Sequence, residues 1–447
     1  MFRDKMDINE WFREVTPKSK RRYAHFDLRT NLERAKKYIT NPDKIAHHGF
    51  YPFIRYDQIF TKFRSSTKEK YVKSREICCS AHIDRCIYQY YSFLVNEKYE
   101  EYLTKHGINQ VPIAYRSNLG MGNIAACQKV HQFMLENKSC YVMIGDFTDF
   151  FGKLNHAYLK KQLCQLLQVN RLPADYYAVF KSITEYDTWD LKNILRLNGL
   201  EDTRAGLKQL NSKKRALTKD QFKKHKKNIC HHKNDFGIPQ GSSISACFSN
   251  VYMIEIDEAI NNFVAKHNGM YLRYSDDFVV ILPMSTSQRK DLQKLISLFD
   301  DYRSKGLLEL QPDKTQVFSF IADKELCNIG ADFNPKLSTE HKKINFLGLC
   351  FDGFEVRIRS KTISKYYYRM RHKARGIACR YTLKSGFKGV DKLYRMYSER
   401  GQYGKGNFLT YVRLVSSAFP KEPIGVDTQN NMVKIRKVLN KNKPSVG

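Results

Sequence analysis

The chain has 447 residues, too many for one ordinary core and enough for two or three domains. Its 77 lysines and arginines face 45 acids, a formal net charge of +32, and an excess of that size marks a protein that neutralises a polyanion, nucleic acid first and an anionic membrane surface second. No apolar run reaches spanning length and MFRDKMDINEWFREV carries no signal-peptide pattern, which argues against the membrane and predicts a cytosolic protein.

The eleven cysteines are scattered and form no C-x-x-C pair, so reduced, mostly buried thiols are expected rather than a disulfide framework. Cys230-His231-His232 lacks a second cysteine or histidine pair at zinc-ligand spacing.

In chain order, residues 1–70 are basic and aromatic, with a helix predicted over Leu32–Tyr38 and a packing segment in HHGFYPFIRYDQIFTKF. Between 75 and 105, Ile83, Ile87, Tyr90, Tyr91 and Leu94 repeat at helical spacing, and a loop with Tyr115-Arg116 and GMGN follows. A second amphipathic helix begins near Ile124. CYVMIGDFTDFF reads as an apolar strand ending at Asp146, and 158–168 as a leucine-rich helix. The stretch 204–233, RAGLKQLNSKKRALTKDQFKKHKKNICHHK, is a charge run whose plainest reading is a solvated surface insertion. After it come GIPQGSSISACFSN, the strand-like MYLRYSDDFVVIL, a helix near 287–304, and INFLGLCFDGFEVRI as a further hairpin. Residues 359–415 are helix-like, basic and tyrosine-rich.

MYLRYSDDFVVIL sets Asp276 and Asp277 inside an apolar run. Leu272, Tyr274, Phe278, Val280 and Leu282 alternate around them, so a β-hairpin with the acids at its tip is predicted. A turn alone needs no second acid: Asp-Asp-Phe incurs like-charge repulsion and supplies no residue suited to positive φ. That combination points to a cation. If strands of one antiparallel sheet bring Asp146 to the same place, the three carboxylates suit two Mg²⁺ ions, spaced about 3.5–4 Å in two-metal sites, and the chemistry is nucleotidyl transfer.

The ordered motifs resemble those of reverse transcriptases of the bacterial retron and group II intron lineage. Asp146 in GDFTDFFGKLNH matches the first palm motif, GIPQGSSISACFSN the Gln-Gly motif, and YSDD at 274–277 the Tyr-x-Asp-Asp box. LQPDKTQV (310–317) matches the later lysine motif and INFLGLCF (344–351) the primer-grip hairpin. The likeness covers about residues 71–350, and the ordered set is far more specific than any one motif. It implies an α+β right-hand polymerase: fingers and palm, with an antiparallel palm sheet flanked by helices, and a helical thumb.

It also implies roles. Asp146, Asp276 and Asp277 would bind Mg²⁺, with the backbone of Phe147 in the metal and triphosphate region. Phe151 matches the steric gate against a 2′-hydroxyl, while Phe150 is assigned to core packing. Gln240 and Gly241 match the motif along template and incoming nucleotide, where glycine permits close backbone approach. Arg116, and after it Arg75, resemble finger residues that clamp triphosphate or template. Lys314 would donate a proton to pyrophosphate or stabilise its charge. The variable box position is Ser275, and Asp149 adds an acid whose partner the sequence leaves open.

The expected partition is 1–70, an N-terminal extension; 71–354, fingers and palm with the basic insertion 204–233; and 355–447, a helical basic thumb and RNA-binding region. REICCSAHIDRCIYQYYSFLVNEKYE and LYRMYSERGQYGKGNFLTYVRLV are similar to small reverse transcriptases of antiviral defence, including abortive-infection types. No maturase-type extension, endonuclease finger motif or RNase H pattern is evident after 355, which disfavours intron mobility. The expected partners are a structured noncoding RNA as template and scaffold, deoxynucleotides and the cDNA product, with no membrane. Each phosphate neutralised adds salt-dependent affinity, and tyrosines among cations in YYYRMRHKARGIACRYTLK (366–384) suit stacking on unpaired bases or inward packing of a thumb helix. Two alternatives share the same residues: a DNA polymerase that extends without a template, and an RNA-binding scaffold without catalysis, the latter opposed by intact Asp146, Asp276, Asp277 and Gln240. RNA-templated RNA synthesis is opposed by Phe151.

Overall fold

The computed structural model describes residues 7–17, 23–64, 69–116, 118–337, 342–382, 386–403 and 406–444; of the tyrosine-rich stretch 366–384, Leu383 and Lys384 lie outside them. The strands among the described residues are β1 Phe53–Arg64, β2 Glu69–Cys79, β3 Ser139–Asp146, β4 Asp187–Asp190, β5 Cys230–His231, β6 Met270–Tyr274, β7 Asp277–Pro283, β8 Gln316–Ile321, β9 Cys327–Asn328, β10 Ile344–Phe346, β11 Leu349–Phe351 and β12 Val356–Ile358. Helices and sheets are mixed throughout, the α+β class expected. Among the described residues no helix is long and apolar enough to cross a membrane.

The chain divides into two compact units. One comprises Met1–Leu119, Phe147–Asn261 and Ser297–Leu310. Its core is helical: His82–Lys105 packs on Ser243–Tyr252, which also packs on His156–Leu167. Both central helices bury side chains on most turns, including Tyr88, Tyr91, Tyr99, Phe248 and Tyr252. The helical pattern of the sequence begins only at His82. Residues 69–79 are instead β2, paired antiparallel along its whole length with β1, in a sheet ordered β2-β1-β4-β5. Glu69–Glu76 of β2 are exposed, so HHGFYPFIRYDQIFTKF is only partly a packing segment: Phe53 and Ile54 are buried and the strand beyond them is a two-stranded ribbon.

The other unit comprises Gly120–Asp146, Asn262–Ile296 and Gln311–Gly447. Its main sheet is ordered β6-β7-β3-β8-β9, antiparallel at every junction. The apolar cores of β3 (Val142–Ile144) and β7 (Phe278–Leu282) are buried on both faces, which explains why they read as continuous apolar runs. Helix Asn123–Asn137, starting where expected, packs on β3 and β6. INFLGLCFDGFEVRI is a three-stranded meander, β10-β11-β12, rather than a single hairpin, because Asp352 and Gly353 turn the chain once more before Val356–Ile358. Beyond it helix Ser360–Ala378 buries Met370, Ala374, Ile377 and Ala378 against Leu393, Ile435 and Leu439.

All eleven cysteines are free, six of them buried. The charge run 204–233 is not a loose surface segment: Leu210, Ala216 and Leu217 enter a core with Ala24, Phe26, Ile54, Trp189, Ile194 and Leu195.

Candidate active site

The end of β3 and the start of β7 place two of the expected acids on one rung. The register runs Ile144↔Val279, Gly145↔Phe278, Asp146↔Asp277, and the pair Tyr274↔Asp277 closes the two-residue turn that carries Asp276. Asp146, Asp276 and Asp277 therefore share one end of the sheet. Glycine at 145 is required there, since a Cβ would come within 2.5 Å of the Phe278 ring opposite.

The turn itself is strained. Ser275 has φ +61° and Asp276 does not take positive φ, the pattern of a II′ turn that normally has glycine first. A wholly buried arginine two residues back offsets this cost: Arg273 Nη1 donates to the Ser275 carbonyl at 3.0 Å.

Lys314 reaches the same end by a different route. Gln311 N–H donates to the Asp146 carbonyl at 2.8 Å, and Lys314 and Thr315 N–H both turn back on the Gln311 carbonyl at 3.0 and 2.9 Å. The tight loop hung from Asp146 delivers the Lys314 ammonium to the Asp146 carboxylate as an ion pair. The Asp277 carboxyl is pushed up to about 7, first by its poorly solvated surroundings and then by Asp276 and Asp146, against the pull of Lys314 and Arg359. Asp277 still reaches solvent along part of its surface.

The three carboxylates offer an all-oxygen donor set, the chemistry that suits Mg²⁺, and Asp276 and Asp146 add to the burial that raises the Asp277 pKa, against Lys314 and Arg359. Among the described residues no three His, Cys, Asp or Glu side chains converge on one point as a metal cage; Asp146 is ion-paired with the Lys314 ammonium.

The other expected residues belong to the other unit. Phe150 is buried against Phe147 (centroids 5.8 Å apart), as assigned, while Phe151 is half-buried, edge-on to Phe150. Asp149 has φ +45° and folds its carboxylate over Gly152, where a Cβ would collide with it. Gln240 and Gly241 sit on the base of the β1–β2 ribbon: Cys78 N–H donates to the Gln240 carbonyl at 2.8 Å. Gly241 has φ +122°, and a Cβ on it would come 2.6 Å from the Cys78 carbonyl oxygen. Arg75 is exposed on the ribbon, opposite Gln58.

Arg116 is not placed as expected. Its guanidinium is buried and all five N–H groups are engaged: Nε and Nη2 by Glu100, Nη1 by the carbonyls of Asn109 (2.6 Å) and Pro112 (2.7 Å), and Nη2 also by Asn109 Oδ1. A phosphate would have to displace Glu100. The arginine braces the loop 109–116 instead.

Three residues went unnoticed in the sequence. Arg273 carries the strained turn, Arg359 lowers the charge excess at Asp277, and Asn123 Nδ2 donates at 3.1 Å to the carbonyl of Leu347, which with Gly348 forms a positive-φ tip between β10 and β11. An arginine inside a strand whose neighbours are all apolar was the one visible signal, at Arg273.

Residues 91–351, more than half of the chain, match the profile of the family described as reverse transcriptase (RNA-dependent DNA polymerase). The chain belongs to the reverse transcriptase family. Its fold is accordingly a reverse transcriptase α+β fold, and its family chemistry is RNA-directed DNA polymerisation, a nucleotidyl transfer. No curated protein sequence matches it. Among solved structures it is similar to apo telomerase from Candida tropicalis truncated from the C-terminal domain, at 13% identity and TM-score 0.40, over 73% of this chain and 60% of that one. Telomerase from Candida albicans, in complex with a TWJ fragment of telomeric RNA, matches at 11% identity and TM-score 0.38 over 94% and 71%. Apo telomerase from Candida tropicalis matches at 14% and 0.39 over 93% and 66%. The chain thus spans less than two thirds of the length of the first of these.

Proposed function

We propose that the protein is a reverse transcriptase of the bacterial retron and group II intron lineage that copies a dedicated structured noncoding RNA into cDNA, in the cytoplasm, as part of anti-phage defence. One observation carries the polymerase reading: Asp146 and Asp277 face each other at one end of the sheet with Asp276 in the adjoining turn. The finer assignment is supported by the ordered motifs from GDFTDFF to INFLGLCF and by the net charge of +32, which suits a lasting RNA partner better than a passing one.

Asp146, Asp276 and Asp277, with the backbone of the next residue, Phe147, would hold two Mg²⁺ ions. When bound, such ions supply a more acidic 3′-hydroxyl and charge neutralisation at the leaving pyrophosphate. Lys314, already an ion pair with Asp146, is the group that meets the departing phosphate charge and gives it a proton. Phe151 excludes a 2′-hydroxyl from the sugar position. Gln240 and Gly241 line template and incoming deoxynucleotide, and Arg75 binds template or triphosphate. For Arg116 the role is to brace its loop.

The test is to purify the protein with the nucleic acid it retains, add labelled deoxynucleotides and Mg²⁺, and sequence both the bound RNA and the new DNA. DNA complementary to one co-purified RNA establishes the reading, and Asp276→Asn should abolish it while leaving the RNA bound. DNA whose sequence ignores the RNA would replace templated by untemplated synthesis.

A further inference from the structure

Residues 204–233 hold eleven lysines and arginines against one acid, Asp220, about a third of the net charge in a short stretch of chain. We propose that this segment, built together with the N-terminal residues 24–29, is a preformed docking platform for the phosphate backbone of a folded RNA. The proposal rests on the RNA-dependent reading of the family for the choice of RNA among polyanions.

The segment is fixed in place rather than trailing in solvent. Ala216 N–H donates to the His25 carbonyl at 2.7 Å, Ala24 N–H to Asn211 Oδ1 at 3.2 Å, and the Arg29 guanidinium to the carbonyls of Asn211 and Lys213. Asn198 Nδ2 closes the other side on the Ala216 carbonyl at 2.8 Å. Leu210, Ala216 and Leu217 are buried around Trp189, and the Phe222 ring lies 5.0 Å from Phe26 and 5.4 Å from Trp189. Both helices, Arg204–Ser212 and Lys219–Lys224, are side-chain capped, the second by a reciprocal Thr218–Gln221 box at 3.0 and 3.1 Å.

What this frame displays is charge. Lys208, Lys214, Lys219, Lys223, Lys224, Lys226 and Lys227 are exposed, and among the described residues none has a carboxylate within ion-pair distance. A surface whose cations lack internal partners gains most from an external row of phosphates, and a rigid frame loses little conformational entropy when it binds one. An anionic membrane fits poorly: Leu207 is the one large apolar side chain of the segment more than a third exposed among the described residues, whereas membrane-surface binding needs an apolar face to bury.

The experiment compares the wild-type chain with a variant carrying Lys223→Gln, Lys224→Gln, Lys226→Gln and Lys227→Gln. Binding of a labelled 20-base-pair RNA hairpin without a single-stranded overhang is measured across a salt series. The variant is expected to bind at least tenfold more weakly at physiological salt, with the slope of log affinity against log salt shallower by about 3, near the 0.7–0.9 per lost phosphate contact of nucleic acids. Its thermal midpoint and its extension of a short primer on a saturating template should be unchanged. Equal affinity and slope in the two proteins would overturn the platform. So would equal competition by duplex DNA of the same length, or variant-sensitive binding to phosphatidylserine vesicles in place of the hairpin. If the wild type extends no primer but the hairpin result holds, the polymerase reading fails and the platform stands.

Discussion

Asp146 and Asp277 are directly opposite each other across the β3–β7 pairing, two carboxylates on one rung with a third, Asp276, one residue away. Like charges in that position destabilise a sheet, and the Asp277 carboxyl is pushed up to about 7, first by burial and then by the charges of Asp276 and Asp146. The proposed metal-binding role of Asp277 predicts that the sheet is more stable without this charge. Asp277→Asn should therefore raise the urea midpoint of unfolding in EDTA at pH 8 while abolishing DNA synthesis. A variant that loses stability along with activity would show that Asp277 is a structural residue.

Lys314 is an ion-pair partner of Asp146, delivered by a loop tied to the backbone of Asp146 itself. An ammonium and a divalent ion compete for the same oxygens. Lys314→Met should lower the thermal midpoint in EDTA and shift the Mg²⁺ concentration that restores it severalfold downward. On the proposed role of Lys314 at the leaving pyrophosphate, product release should slow as well. If the Mg²⁺ midpoint rises or stays, the ion pair does not compete with metal.

Phe150 and Phe151 are adjacent rings with different environments: the first is buried on Phe147, the second half-buried at its edge. Phe151→Ala should raise ribonucleotide incorporation relative to deoxynucleotide by tenfold or more with little change in unfolding midpoint. Phe150→Ala should do the reverse, leaving sugar selection intact and destabilising by about 3–5 kcal/mol, the usual cost of removing a buried ring. Equal sugar selection in Phe151→Ala and wild type would remove Phe151 as gate.

The chemistry of the site was legible because it sits at element ends marked by composition. The apolar run CYVMIG stops at an acid, and MYLRYSDDFVVIL breaks its alternation at two, so strand, turn and acids were visible together. What pattern could not supply was the partner of each polar group. Arg116 was read as a ligand-facing cation because it resembles the finger arginines of the family; its guanidinium is spent on Glu100 and two carbonyls, contacts that depend on how the loop folds back. Charge density misled in the same way at 204–233. Leu210, Ala216 and Leu217 are few among many lysines, and only the presence of Trp189 and Phe26 makes them a core. At β2 the mainly polar run EKYVKSRE hid a strand because it is exposed along its length, leaving no apolar period to read.

His25 yields the clearest pH effect. Its ring is fully buried, Nδ1 accepts from the Phe26 N–H at 2.8 Å, and Nε2 therefore carries the proton, directed at the Cys79 carbonyl at 3.1 Å. A second proton on Nδ1 would set two donors against each other. Burial, with a further contribution from His82 and against the Cys79 carbonyl, lowers the pKa to about 3; Tyr23, edge-on at 6.5 Å, is the other titratable ring beside it. In the unfolded chain the same imidazole titrates near 6.5. Between those values the unfolded state binds a proton the folded state refuses, so this contribution is complete above about pH 6.5 and is lost as pH falls toward 3. The loss amounts to about 1.4 kcal/mol per pH unit, or about 2 kcal/mol at pH 5. His82, His131 and His156 are also held below their ordinary values and add to the slope, which is why the comparison must be between proteins. From pH 7.5 to pH 5 the urea-unfolding free energy of the wild type should fall by about 2 kcal/mol more than that of His25→Gln. Parallel curves for the two would mean that His25 is protonated in the folded chain, and that Nδ1 is not the acceptor for Phe26.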